Sequence, residues 1–278
     1  MERAETTQAS GSPFSPSRMI ADLAALLRFF SRVPVPRLSR LDDPAALPAF
    51  PRAGALTPVA AVILALPGAL TLCVLAASGL PPLAVALVTI GVCMAVTGAL
   101  HEDGLADIAD GFFGASTRER RLEIMKDSRI GAFGTLALVI GVGLRASLLA
   151  ALLERFGIAG AGLALLGAEA ASRSAMIVLW SSLPPARPDG LSAACGKPGK
   201  FAAVVALGIG LTALAPLPAF TGPVPLAAAL LATGLLTFGL CRLALAKIGG
   251  QTGDVLGACQ QIALVALLAG LALEPATG

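Results

Sequence analysis

The stretch His101-Glu102-Asp103-Gly104-Leu105-Ala106-Asp107-Ile108-Ala109-Asp110-Gly111 is the densest polar cluster in a chain that is otherwise poor in charge. At about 100° per residue, Asp103, Asp107 and Asp110 fall within an arc of about 60° on a helix, with Leu105, Ile108, Ala109 and Phe112 opposite. Such a helix presents three carboxylates as one row and packs its other face. Three anions in a row repel one another, and a hard divalent cation resolves that conflict. Mg²⁺ takes oxygen ligands, commonly one or two carboxylates together with substrate phosphates. Asp103, Asp107 and Asp110 are therefore the expected metal ligands. A solvated acidic face is the competing reading, but the row continues directly from an apolar run and is bracketed by glycines. His101 projects to the face of Leu105 and Phe112, which favours a structural role over metal ligation.

A second carboxylate row follows. Ser116 and Glu119 have capping-box spacing, and Gly131 can end the helix that they start. Glu119, Glu123 and Asp127 recur every four residues, flanked by Arg118, Arg121 and Lys126 and followed by Arg129. Carboxylates for a metal, with cationic side chains for anionic oxygens, are what phosphoryl transfer needs. At least two of the arginines in 118–121 also read as a topology signal. Gly249-Gly250-Gln251-Thr252-Gly253-Asp254 offers backbone amides free to approach a phosphate or nucleotide, then a carboxylate. Alone it is equally a tight interhelical turn. Arg187, with Lys197 and Lys200, adds cations, as do Arg32, Arg37 and Arg52 nearer the N-terminus.

The elements that must position these groups are apolar helices. Only 13% of the 278 residues are charged and 56% are hydrophobic, whereas an ordinary soluble domain is about a quarter charged. Mean hydropathy is +0.84. These values exclude both a disordered chain and a water-facing globule, and the net charge of +3 is too small to argue for nucleic acid. Seven long apolar segments appear, near 54–78, 81–100, 132–153, 157–182, 201–220, 224–245 and 257–273. The expectation is an all-α polytopic integral membrane helix bundle with about seven transmembrane helices, six if the short last segment does not cross. Residues 1–18 read as a disordered tail, 19–30 as an interfacial amphipathic helix, and 19–278 as one transmembrane catalytic domain.

The stretches 1–53, 101–131, 183–200 and 242–256 hold 17 of the 20 Lys and Arg residues. Such an excess marks cytoplasmic loops, which places the N-terminus and the polar motifs inside. Arg145, Arg155 and Arg173 escape this count. Arg173 lies one turn beyond Glu169, in the favourable order for an ion pair; Arg145 has no evident partner, although Glu169 could serve both. Trp180 fits an interfacial anchor. The five cysteines, with no C-x-x-C and one histidine, form neither a zinc site nor a disulfide framework.

The motifs HEDGLADIADG (101–111), LEIMKDSRIG (122–131) and GGQTGDVLG (249–257) resemble those of the cobalamin synthase, or adenosylcobinamide-GDP ribazoletransferase, family. Phe30–Pro36 and Phe50–Gly54 are similar to its N-terminal pattern, and the likeness runs in order from about residue 25 to 270. The resemblance implies a Mg²⁺-dependent, multi-pass enzyme of the bacterial inner membrane. It would join adenosylcobinamide-GDP to α-ribazole, or its 5′-phosphate, with release of GMP in the final nucleotide-loop assembly step. Combined with the spacing, it implies Mg²⁺ on Asp103, Asp107 and Asp110, with Asp127 or Glu123 as the base for the attacking hydroxyl. Substrate contacts would come from Arg129, Lys126, Arg32, Arg187, Gly250, Thr252 and Asp254. The partners are then the two small-molecule substrates and the lipid bilayer, with no nucleic acid; a homo-oligomer stays open. The rival classes are a cation- or proton-coupled transporter, a structural membrane subunit, and another Asp-motif membrane transferase of the prenyl transferase or CDP-alcohol phosphotransferase kind.

Overall fold

The computed structural model describes residues 15–274, all helix and connection. In chain order the helices are α1 (Pro16–Phe30), α2 (Phe50–Ala53), α3 (Thr57–Ala77), α4 (Pro82–Thr97), α5 (Leu100–Gly114), α6 (Arg118–Ile124), α7 (Ala132–Ser182), α8 (Leu191–Ala194), α9 (Lys200–Leu214), α10 (Pro218–Thr221), α11 (Pro223–Ile248) and α12 (Gly253–Leu271). Proline in the first turn of α1, α3, α4 and α11 suits a position whose N–H has no intrahelical partner.

This is a multi-pass membrane protein. Phe50–Ala77, α7, α11 and α12 are long and apolar enough to cross a bilayer, and α4 with α5 qualifies as a pair bent by 91°. Large apolar side chains such as Leu70, Val139, Val204, Leu231 and Phe238 point outward, each more than 60% exposed. In water such a surface would aggregate; in hydrocarbon it is the solvated face. At 51 residues, α7 is far longer than one crossing requires. It breaks at Gly157, where φ is 65° and ψ −170°. Arg145 and Glu169 lie 12 residues before and after that break, yet their side chains approach to 3.8 Å, so the two arms turn back on one another. All seven expected apolar segments are helical, although α9, at 15 residues, is shorter than a full crossing. α12 is the central post, its apolar stretch 78% buried, packed against α5, α7 and α11.

Three boundaries differ from expectation. Residues 16–18 begin α1, with Ser15 as its N-cap, instead of ending a disordered tail; residues 1–14 lie outside the described residues. The N-cap of α6 is Thr117, whose hydroxyl accepts from the Arg120 N–H, and the helix ends at Ile124. Ser116 and Gly131 therefore do not frame it. The third difference matters most for the site. α4 stops at Gly98 (φ 66°) and Ala99 (φ 55°), and α5 starts at once in a new direction. Left-handed backbone at Ala99 costs about 1–3 kcal/mol. It is held by Ala99 N–H donating to Met94 O at 2.9 Å and by Asp103 N–H donating to Ala99 O at 2.9 Å.

Candidate functional site

The turn at 98–99 starts the polar motif inside the bundle. His101 and Glu102 are buried at 2% and 5% exposure, and α5 then runs out toward the bundle end with its carboxylates along one side. The Glu102 Oε1 accepts from Arg145 Nη1 at 2.6 Å and from Gln261 Nε2 at 3.1 Å. Arg145 also reaches Gln261 Oε1 at 3.1 Å and Glu169 at 3.8 Å. Glu169 pairs with Arg173 as its spacing predicts, and Gln260 donates to Ser172 at 3.1 Å. Two acids and two arginines thus neutralise one another in the apolar interior, where an unpaired charge would be prohibitive. The network ties α5, both arms of α7 and α12 together. Gln260 and Gln261, in an otherwise apolar span, were the overlooked signal that this core needs polar partners.

Close packing brings α5 against the start of α12. A Cβ on Gly104 would lie 2.8 Å from Asp254 O, and one on Gly257 would lie 3.2 Å from His101 Cα. With both residues glycine the two backbones nearly touch, which sets Asp103 and Asp107 of α5 beside Asp254 of α12. Asp107 is half-buried and feels Asp254, Asp103 and Asp110 as like charges and Arg187 as the opposing one. Thr252 caps α12 and its hydroxyl donates to Asp254 Oδ2 at 3.1 Å.

These groups border a cavity of about 570 Å³, well within the size of small-molecule sites. Asp103, Asp254, Thr252, Arg187 and Arg28 are among its polar lining residues. Phe29, Phe30, Met176, Trp180 and Leu256 are among its apolar ones. Residues 44–48 of the irregular segment after α1 form a further wall. That segment is anchored by Asp42, which pairs with Arg28 and accepts from the Leu38 N–H at 3.0 Å. Burial raises the Asp42 carboxyl, but Arg28, the Leu38 N–H and nearby Arg37 outweigh it and hold the group below its ordinary value.

Of the expected site residues, Asp103, Arg187, Thr252 and Asp254 line the cavity; Asp107 is not among the lining residues, although it feels the charges of Asp103, Asp254 and Arg187. Others are used elsewhere. Asp110 is turned to the N-terminus of α7, where Oδ2 accepts from Gly131 N–H at 2.7 Å and Oδ1 from Gly134 N–H at 2.9 Å. It therefore caps a helix whose own N-cap residue, Gly131, has no side chain to do so, with one N–H on each carboxylate oxygen. Among the described residues, no three His, Cys, Asp or Glu side chains converge as a ready-made metal cage.

The expected bases are also elsewhere. Glu123 pairs with Arg120 at 2.7 Å on an exposed surface. Asp127 is bound bidentately by Arg129, whose guanidinium and N–H hold the carboxyl down at about 2. Neither these two nor Arg129 and Lys126 line the cavity. Helical spacing put them on one face, but α6 ends before Lys126 is reached. Arg32 packs on Gly98 at the α4–α5 turn. Gly250 lets its loop pass close to Pro184 and Ala186, where a Cβ would overlap the Pro184 carbonyl. Arg118 donates to Ile248 O and Ala186 O, and Arg121 to Ala115 O and Lys247 O, at 2.8–3.1 Å. These two arginines staple the loops 115–121, 184–187 and 247–252 into one end of the bundle.

The family model for cobalamin-5-phosphate synthase (CobS) matches residues 22–272. An adenosylcobinamide-GDP ribazoletransferase from Brucella anthropi is 51% identical over 259 residues, covering 92% of this chain and 97% of that protein. Those of Brucella canis and Brucella suis are 50% identical over the same coverage. No solved structure matches the chain. A family match across nearly the whole length means that the chain belongs to the cobalamin-5-phosphate synthase family.

Proposed function

We propose that the protein is an adenosylcobinamide-GDP ribazoletransferase acting at the cytoplasmic face of the bacterial inner membrane. The observation that carries this reading is the pair Asp103 and Asp254, drawn from two helices in near-backbone contact and lining a nucleotide-sized cavity with Arg187, together with Asp107 one turn along α5, which feels all three charges. Concentration of basic residues in the stapled loops supports the cytoplasmic side.

Mg²⁺ suits the donor set: two carboxylates one turn apart on α5 leave the remaining positions to substrate phosphates and water. When bound, the ion supplies neutralisation of the diphosphate and of charge developing on the leaving phosphate. Asp103 and Asp107 would hold it. Asp254, opposite them and oriented by Thr252, accepts the proton of the attacking ribose hydroxyl of α-ribazole, one that is also free in the 5′-phosphate. That oxygen forms a bond to the cobinamide-side phosphorus while the bond to GMP breaks, and GMP leaves with the electron pair. Arg187 balances the phosphate charge from the cavity wall. The buried Glu102–Arg145–Gln261 links hold α5 in register with α12 throughout.

Purified protein in detergent, given Mg²⁺, adenosylcobinamide-GDP and α-ribazole, is expected to release GMP and form adenosylcobalamin in equal amounts. Absence of both products from folded protein would overturn the assignment.

A further inference from the structure

One wall of the cavity is built unlike the rest. Most of the lining comes from α1, α5, α7 and α12, or from loops that Arg118 and Arg121 staple across the bundle. Residues 44–48, Pro-Ala-Ala-Leu-Pro, line it from an irregular segment. Among the described residues, their hydrogen bonds reach only near neighbours. Ala45 N–H donates to Asp43 Oδ1 at 3.0 Å, Ala46 N–H to Asp43 O at 3.1 Å, and Pro48 O accepts from Phe50 N–H at 3.1 Å. Pro44, Ala45, Ala46 and Leu47 are exposed. A segment so exposed, with no bond to the rest of the fold, opens at low cost. Proline at both ends restricts its shape, so it moves as a short stiff piece. The ends themselves are fixed. Phe50 is fully buried, packs at 4.3 Å on Trp180 and donates its N–H to Cys195 O at 3.2 Å. At the other end Asp42 is 2% exposed, accepts from Leu38 N–H and pairs with Arg28 of α1. The Arg28 guanidinium also donates to Val35 O at 3.2 Å and to Pro36 O at 3.3 Å. One side chain of α1 therefore gathers three acceptors of the segment and sets where the wall begins. Arg28 itself lines the cavity, whereas Asp42 does not.

We propose that residues 44–48 are a lid that opens to admit the corrinoid substrate and closes against it, and that Arg28 and Asp42 are positioning residues that set its closed place. The proposal rests on the transferase reading and deepens it. A cavity of about 570 Å³ is of the size that encloses one drug-sized ligand. A corrin macrocycle carrying an adenosyl group and a guanosine diphosphate arm is far larger. Bringing its diphosphate to Asp103 and Asp254 therefore needs a wall to yield, and residues 44–48 are the wall that the rest of the fold holds least. α-Ribazole is nucleoside-sized and fits without that movement. Such a lid acts on one substrate and spares the other.

The test joins the kinetics of Asp42→Asn and Arg28→Gln to hydrogen–deuterium exchange on the purified full-length protein. Each variant is expected to raise KM for adenosylcobinamide-GDP about tenfold, with kcat within about threefold and KM for α-ribazole within about twofold. Because the two side chains act as one latch, the double variant should be no worse than either single one, and Arg28→Lys should recover part of the loss. Asp42 lies off the cavity, so an effect there does not come from a lost substrate contact. A normal KM in Asp42→Asn overturns the proposal whatever Arg28→Gln does, as does an equal loss for both substrates, which is general damage to the fold. The exchange arm needs no variant. Adenosylcobinamide-GDP added without α-ribazole should slow exchange of the amides between 45 and 49 about tenfold in the wild type, and α-ribazole alone by less than about twofold. Asp42→Asn should lose most of that protection. Unchanged exchange in the wild type overturns the lid. Absence of GMP release by folded wild type would instead strike the transferase reading, so the two failures are distinguishable.

Discussion

Gly104→Ala tests whether near-contact of α5 and α12 is what assembles the carboxylate set. A Cβ at 104 would lie 2.8 Å from Asp254 O and 3.0 Å from Asp254 Cα, where ordinary contact begins at 3.4 Å. Both obstacles are backbone, so no side chain can swing aside. The first turn of α12 must retreat by about 0.6 Å or α5 must tilt by as much, and the distances from Asp103 and Asp107 to Asp254 change with it. Overpacking of this size costs about 1–3 kcal/mol, which a bundle tied by the Glu102–Arg145–Gln261 network tolerates. Catalysis is less forgiving, since a misplacement near 1 Å can cost about 100-fold. The expectation is a fall of about tenfold or more in kcat for GMP release, with normal membrane insertion and detergent extraction. Gly257→Ala, whose Cβ would meet His101 Cα at 3.2 Å, should be milder. Gly143→Ala, with nothing within 4 Å, is the control and should leave activity unchanged. If Gly104→Ala retains more than half of wild-type kcat, helix approach does not set the site.

Three further outcomes are expected. Asp107→Asn should abolish turnover while insertion is preserved; near-normal GMP release in that variant would remove Asp107 from the metal site. Asp127→Asn and Glu123→Gln should each keep activity within about threefold, because both acids are held by neighbouring arginines away from the cavity; a loss of 100-fold in either would restore the base role expected from spacing. Asp42 has a folded-state pKa below its unfolded value. Its contribution to stability is therefore present above about pH 4 and is lost as pH falls through the lower, folded-state value. Thermal melts between pH 7 and pH 3 should show a smaller acid-side loss for Asp42→Asn than for wild type; identical profiles would refute this linkage.

Much of this molecule is legible along the chain because the relevant physics is local. An apolar run long enough to cross hydrocarbon must be helical, since only a helix satisfies its own backbone there, and all seven runs are helical. The Glu169–Arg173 pair follows from one turn of helix. Asp103 and Asp107 share a side of α5 for the same reason. Local spacing misleads where helices meet or end. Asp110 is on the same side as Asp107, yet α7 starts beside it and donates one N–H to each of its oxygens, a second task that spacing did not announce. Glu123 and Asp127 have helical spacing, but α6 stops at Ile124, and no continuous face carries them to the cavity.

Composition and periodicity by themselves determined membrane residence, the helical segments and the two carboxylates that share a row, because each depends on residues within a few turns of one another. Only the tertiary structure decided which acids work together. Asp254 is about 150 residues from Asp103, and Arg145 finds Glu102 and Gln261 across 43 and 116 residues. No period encodes such distances. They arise because the chain bends by 91° at Gly98–Ala99 and turns back on itself at Gly157, and because Gly104 and Gly257 let two backbones approach until charges from separate helices must be shared.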